Sequence, residues 1–380
     1  MLIGIDASRA NEQTKTGTEW YSYHLIQELK KIDTENQYIL YSKQSLADGL
    51  ELLPPLWRNK VLGWPPQKLW TQFRLSWEMM LHRPDLLFVP AHIIPPIHPR
   101  QTVTTCHDVG FERFPELYSK KELRYHRWSM RRAVKVATRI ITVSEFTKRE
   151  MAEVYNIHPE KVDVVYNSYD ENTYRVINDQ AAIDRCRRQY GLEKPYFLYV
   201  GRLEHKKNSP FLVKTFLQFV RRYPDYQLAL VGLPGFGYEE VQQLLRELDS
   251  EGRSIKQLGY VPEPDLPYLH NGAFGFIFPS LYEGFGIPVL QAMACGLPVL
   301  CSRIASLPEI GLHSALYFDP KKSDELVSLL EQFVNSEPLR ADLRQKGLQR
   351  VKSFSWQKCA DQTLKLLRRV HRGVQQKNIA

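Results

Sequence analysis

Cysteine is scarce in this 380-residue chain: Cys106, Cys186, Cys295, Cys301 and Cys359, with no CxxC pair and no zinc-ligand spacing. That excludes a secreted disulfide framework and leaves reduced core thiols as the expectation. Long apolar runs are missing too. A membrane-spanning helix needs ~18 such residues, whereas the most apolar stretch here, 86–97, is broken by Pro90, Pro95 and Pro96. The N-terminal MLIGIDASR lacks the basic n-region of a signal peptide, so the cytoplasm is the expected compartment. Charge is not extreme, with 51 basic and 42 acidic residues giving +9, and 43% of residues are hydrophobic. Disorder, which needs low hydrophobicity together with high net charge, is excluded. No short repeat and no DxD-type carboxylate cluster suited to Mg²⁺ appears, so no metal and no other cofactor is expected.

What is present is a rhythm. Short apolar blocks at 2–7, 37–41, 86–90, 102–106, 139–143 and 162–166 read as strands, followed by a second set at 196–200, 227–231, 255–258, 275–278, 298–301 and 315–318. Most are continuous rather than alternating, as in parallel strands covered on both faces. Amphipathic stretches such as 210–222, 238–250 and 323–334 separate them. The pattern predicts an α/β protein with two Rossmann-like, doubly wound domains, whose strand C-termini would face a central cleft. The expected bounds are 1–172 for the first domain, 173–194 for a polar linker ending in Glu193-Lys194-Pro195, and 195–355 for the second domain. The last segment, 356–380, is a helix with Ala360, Leu364, Leu367 and Val370 on one face, expected to pack back on the first domain.

Three loops carry the chemistry. After the strand at 275–278 come Pro279, Ser280, Glu283, Gly284 and Gly286, then Pro288 at a helix start. The glycines let backbone approach a ligand, and a helix N-terminus suits an anionic diphosphate. On the residues alone, the segment also reads as a strand-to-helix turn with Glu283 as its cap. After the strand at 196–200, Arg202 and Lys207 stand where they could hold one phosphoryl group; such a loop also reads as solvated surface. His107 and Asp108 end a first-half strand, where a lone histidine can equally be structural. Gly17, before the first helix, reads on its own as part of a helix cap.

Taken in order, these segments resemble the retaining family 4 glycosyltransferases of the GT-B fold, within the group 1 glycosyltransferases. The resemblance spans nearly the whole chain: Gly17, HDVGFERFPELYS from His107, RIITVSEFTKRE from Arg139, VYNSYD from Val165, YVGRLEHKKN from Tyr199, and YEGFGIPVLQAMACGLPV from Tyr282. It implies that Arg202 and Lys207 bind the donor diphosphate, with Gly17 beside the phosphates. Glu283 would contact the transferred sugar, and Gly284, Phe285, Gly286 and Ile287 would line sugar and phosphate. His107 would approach the reacting carbon, making Glu283 and His107 the catalytic pair. Gln291 would hold the ribose, Tyr260 and Val261 would meet the base, and Asp108, Ser144 and Asn167 would lie on the acceptor side. The family retains anomeric configuration and uses no metal.

Two departures stand out. Gln291 replaces the second glutamate of the E-x7-E pattern, and Ser168 follows Asn167 where glycine is usual. Glutamine keeps an acceptor oxygen but loses a charge-assisted bond, implying weaker or altered donor binding. The expected activity is transfer of a mannose- or glucose-type hexosyl group from GDP-mannose or UDP-glucose to a glycan or lipid-linked acceptor. A GT-B-like sugar-nucleotide epimerase and a non-catalytic sugar-nucleotide or glycan-binding protein are the competing classes; an acceptor requirement and donor turnover separate them.

Positive charge is local. Residues 120–139 carry eight basic side chains against Glu122, a net +7, while the half-chain 1–190 totals only +4. Interleaved with Tyr125, Trp128 and Met130, this segment reads as a basic amphipathic helix for an anionic membrane, or as a solvated face or the site of an anionic acceptor. Repeated aromatic stacking platforms are not evident, so nucleic acid is not an expected partner.

Overall fold

The apolar blocks form two parallel sheets in a computed structural model, which describes residues 1–65 and 68–377. In the first unit, Met1–Asn167 with Ser355–Ala380, the described strands are β1 (Leu2–Asp6), β2 (Gln37–Ser42), β3 (Trp57–Val61), β4 (Leu86–Val89), β5 (Thr102–Cys106), β6 (Arg139–Thr142) and β7 (Val162–Val164). In the second, Ser168–Phe354, they are β8 (Tyr196–Val200), β9 (Gln227–Val231), β10 (Ile255–Gly259), β11 (Gly275–Phe278), β12 (Val299–Ser302) and β13 (Ala315–Phe318). The orders are β3-β2-β1-β4-β5-β6-β7 and β10-β9-β8-β11-β12-β13. Both reverse once, at β1/β4 and at β8/β11, the doubly wound arrangement in which ligands sit beyond strand C-termini at the reversal.

The strand at β3, WRNKV, is not legible from hydropathy because Arg58, Asn59 and Lys60 interrupt it. It forms as a sheet edge on β2, where half of its backbone can face water. The expected linker is corrected as well. Residues 180–189 form the helix Gln180–Gln189, started by the Asp179 carboxylate, which accepts from Ala182 N–H at 2.9 Å. Ile183 and Cys186 are buried, and the whole of 173–194 belongs to the second unit. Polar surface residues on an amphipathic helix made it read as linker. The unit boundary falls instead between Asn167 and Ser168.

The final helix, Trp356–Lys377, closes the first unit's core. Trp356, Cys359, Ala360, Leu364, Leu367 and Val370 pack with Ile3, Ile5, Leu25 and Leu29 in one buried cluster. Trp356 stacks on His24 with centroids 5.1 Å apart, and Arg368 reaches buried Asp33 at 3.0 Å. All five cysteines are buried free thiols. Leu367 is fully buried, so Leu367→Ala should destabilise the first unit by about 2–5 kcal/mol through lost transfer energy and the cavity left behind. Denaturant unfolding monitored on the first unit's tryptophans checks this.

Candidate functional site

In the second unit, the order reversal brings together the loops after β8 and β11. Lys207 Nζ lies 2.5 Å from Glu283 Oε1 and 5.4 Å from the centre of the Phe278 ring. The Ser280 hydroxyl donates to the same carboxylate oxygen at 2.7 Å. Both charged side chains are mostly buried, so the pair is far less screened than a surface ion pair. The loops are also tied through backbone, with Leu281 N–H donating to the Lys206 carbonyl at 2.9 Å.

Behind Glu283, the fully buried Ser306 hydroxyl lies 3.0 Å from the Glu283 carbonyl and 2.8 Å from the Phe285 carbonyl. Gly286 then takes φ +104° to start the helix Ile287–Ala294, with Pro288 in its first turn. A Cβ there would meet Leu307 Cδ2 at 2.7 Å. Gly284 and Phe285 are buried and Ile287 is half-buried, and Phe285 packs edge-on against Phe354. Gln291 is half-exposed on this helix.

Arg202 is placed differently from Lys207. Its side chain is 65% exposed, 3.7 Å from Glu204 and 3.4 Å from the Pro234 carbonyl. Its own carbonyl accepts the buried Tyr199 hydroxyl at 2.8 Å. The neighbouring strand ends converge through glycine: Gly201 N–H donates to Val231 and Gly232 N–H to Gly259. Any Cβ at Gly232, where φ is +145°, would collide with the Gly201 carbonyl. Beyond Gly259, Tyr260 is exposed and Val261 buried.

The first unit holds the other residues singled out from the sequence. Gly17 opens the helix Gly17–Ile32, and nothing lies within 4 Å of where its Cβ would be. Thr16 and Glu19 form a capping box, and Glu19 also receives Arg9 at 3.1 Å. His107 follows β5 with Nε2 3.0 Å from the Pro90 carbonyl; a carbonyl only accepts, so Nε2 carries the proton. Burial lowers its pKa, although the Pro90 bond opposes that, so the ring is neutral near pH 7. Tyr21 meets it edge-on at 4.7 Å. Asp108 caps the next turn, accepting from Gly110 N–H at 2.9 Å. Ser144 caps the helix Glu145–Tyr155. Asn167 is buried at the unit's end.

One feature was missed in the sequence. At the β1/β4 reversal a cavity of about 180 Å³ is lined by residues including Asp6, Ser8, Arg9, Lys43, Gln72 and Tyr125. Asp6 is buried, and desolvation raises its pKa against a bond from Ser8 N–H at 3.0 Å. The one sequence signal was an acid and a base flanking a strand's end, too common to single out.

Two Rossmann-like units, with a lysine–glutamate pair and glycine-bound strand ends at the reversal of the second, define a GT-B glycosyltransferase. Residues 15–173 match Glycosyltransferase Family 4 and residues 183–350 match Glycosyl transferases group 1. The chain is 32% identical over 295 residues to O-antigen chain mannosyltransferase B of Escherichia coli, covering 77% of this chain and 76% of that protein. It is 29% identical to serotype-specific mannosyltransferase WbdA of Escherichia coli over 68% of this chain, but spans only 32% of that longer protein. Its fold is that of HepE from Anabaena in complex with UDP-glucose, at TM-score 0.75 and 19% identity over 96% of this chain and 98% of that one. The chain belongs to the group 1, family 4 glycosyltransferases.

Gly286→Ala should destabilise the second unit by about 1–3 kcal/mol, because positive φ and contact with Leu307 both penalise a side chain. Gly17→Ala, in open space, should leave thermal unfolding nearly unchanged. Calorimetry of both variants makes the comparison.

Proposed function

We propose that the chain transfers a mannose- or glucose-type hexosyl group from a nucleotide sugar, GDP-mannose or UDP-glucose in type, to a glycan or lipid-linked acceptor with retention of configuration. The observation that carries this is the Lys207–Glu283 pair at the β8/β11 reversal. A cation and a carboxylate held together in a mostly buried site match the two halves of such a donor, a diphosphate and a polyhydroxyl sugar. The relatives' names, a mannosyltransferase acting on O-antigen chains and a protein bound to UDP-glucose, support the same donor and acceptor classes.

In this reading Lys207 turns from Glu283 to the diphosphate, and exposed Arg202 joins it. Their charge and the amides at the start of Ile287–Ala294 stabilise the leaving phosphate as negative charge grows. Gly17 adds its open helix start on the phosphate side. Glu283, released from Lys207, accepts bonds from sugar hydroxyls, while neutral His107 approaches the reacting carbon. Gln291 holds the ribose and Tyr260 with Val261 meets the base. The leaving phosphate takes the acceptor's proton, so no protein nucleophile and no metal is required. The Asp6–Arg9–Lys43 cavity, with Asp108, Ser144 and Asn167 on the same unit, receives the acceptor. The enzyme works in the cytoplasm on the inner face of the cell membrane, touching anionic lipid through 120–139. Of that segment, the helix is Lys120–Val136, and Arg139 begins β6.

A transfer assay with a panel of nucleotide sugars, run with excess EDTA, tests the reading. Wild-type protein should form product that retains the donor's anomeric configuration, and Glu283→Gln should lose at least ~10-fold in rate while staying folded. Strict dependence on Mg²⁺ or Mn²⁺, inversion, or full activity in folded Glu283→Gln would refute it.

The phosphate assignment has its own check. Lys207→Ala and Arg202→Ala should each weaken nucleoside diphosphate binding by ~10-fold or more, since bonds to charged groups are worth about 1.5–3 kcal/mol. Nucleoside binding should barely change. Equal losses for both ligands in titration calorimetry would remove these side chains from the phosphate site.

A further inference from the structure

The run Thr71–Leu81, one π-helical turn followed by the helix Ser76–Leu81, is apolar on the side that faces water. Phe73, Trp77, Met80 and Leu81 are 55%, 57%, 44% and 54% exposed. Their spacing of four, then three or four, sets them along one face. The inner face is firmly held: Leu75 and Met79 are buried in a core cluster with Trp70. Buried Glu78 gathers Lys60 at 2.5 Å, Arg74 at 3.6 Å and His82 at 3.2 Å. The exposed apolar face is therefore fixed by packing on the other side of the same helix. Side chains of this size rarely lie together in water unless they meet a partner.

The adjoining surface says what the partner is. Gln72 Nε2 donates to the Tyr125 hydroxyl at 2.8 Å, joining this run to the basic helix Lys120–Val136. On that helix the residues exposed at helical spacing are Lys121, Arg124, Trp128, Arg131 and Lys135, with Trp128 47% exposed. Of the other three basic residues within it, Lys120 is exposed at the first position, while Arg127 is engaged with Glu112 at 2.8 Å and Arg132 with the Pro96 carbonyl at 2.7 Å. One surface thus carries two tryptophans and three other large apolar groups beside four outward cations. A second copy of the chain meeting it face to face would oppose cation to cation. An anionic bilayer satisfies both parts, taking the apolar groups below the headgroups and the cations among the phosphates.

We infer that Phe73, Trp77, Met80 and Leu81, with Trp128, insert into the headgroup region of an anionic bilayer beside the cations of Lys120–Val136. This rests on the proposed contact through 120–139 and adds a lipid-inserting element that electrostatics alone would not need. Charge attraction fades with salt, whereas apolar insertion does not.

Vesicle flotation and tryptophan quenching by brominated lipid test it on the full chain. Wild-type protein should bind vesicles of one part phosphatidylglycerol to three parts phosphatidylcholine at low salt, and keep a measurable share of that binding in 0.5 M salt. Brominated chains should quench emission from both Trp77 and Trp128, and Trp77→Phe should remove the Trp77 share of that quenching. Phe73→Ser with Trp77→Ser should lower the salt-resistant binding by at least ~10-fold, as expected for two large apolar side chains kept from lipid. Arg124→Gln with Arg131→Gln should instead remove salt-sensitive binding and leave quenching at Trp77 once bound. Binding that salt abolishes completely, with no quenching at Trp77, overturns the insertion while sparing the charged contact. No binding to these vesicles at any salt overturns both, and product formation with a soluble acceptor would still stand separately. A dimer in sedimentation that Trp77→Ser dissolves overturns it in favour of a second copy.

Discussion

The Lys207–Glu283 contact is the point on which the second unit's site depends. Its partners are 76 residues apart in sequence, and neither lies in a strand or in a long helix. They meet because β8 and β11 are neighbours at the one place where strand order reverses, so the loops leaving their C-terminal ends open side by side. Two mostly buried opposite charges stabilise this juxtaposition only if their remaining bonds are made. Ser280 supplies one, and Ser306 fixes the backbone on which Glu283 stands. Each charge neutralises the other.

The first unit repeats the topology with different contents. Its reversal, between β1 and β4, opens a cavity lined by Asp6, Arg9 and Lys43 rather than a lysine–glutamate pair. A mixed-charge cavity suits a polyhydroxyl ligand, whose hydroxyls donate to a carboxylate and accept from cations. Neutral because burial outweighs its bond to the Pro90 carbonyl, His107 differs in kind from the acid and bases that line this cavity. The final helix is integral here as well, since Trp356 packs against Tyr21 and His24, on the helix that Gly17 begins.

Much of this was legible in the chain. Parallel, doubly covered strands leave continuous apolar blocks, so twelve of the thirteen described strands read directly from sequence. β3 escaped because an edge strand tolerates polar Arg58, Asn59 and Lys60, none of which is fully buried. The helix Gln180–Gln189 escaped because Ile183 and Cys186 alone bury its inner face, and the rest looks like linker. The loops carrying Glu283, Gly286 and Lys207 were legible because glycine, proline and charge at strand ends form a local pattern. Ser306 was not, because its role is to bond backbone 21 and 23 residues away.

By itself, then, the sequence determined the order of elements, the two-unit α/β architecture and the loops that bear chemistry, because period and turn composition act over a few residues. Only the tertiary structure decided which of those loops meet. Lys207 finds Glu283, Asp6 comes to line a cavity with Lys43, and Arg202 is left reaching into water. It also decided that Phe73, Trp77, Met80 and Leu81 face outward. Hydropathy marks a residue as apolar, but the packing of Leu75 and Met79 against the core determines which side of the helix is turned away from it.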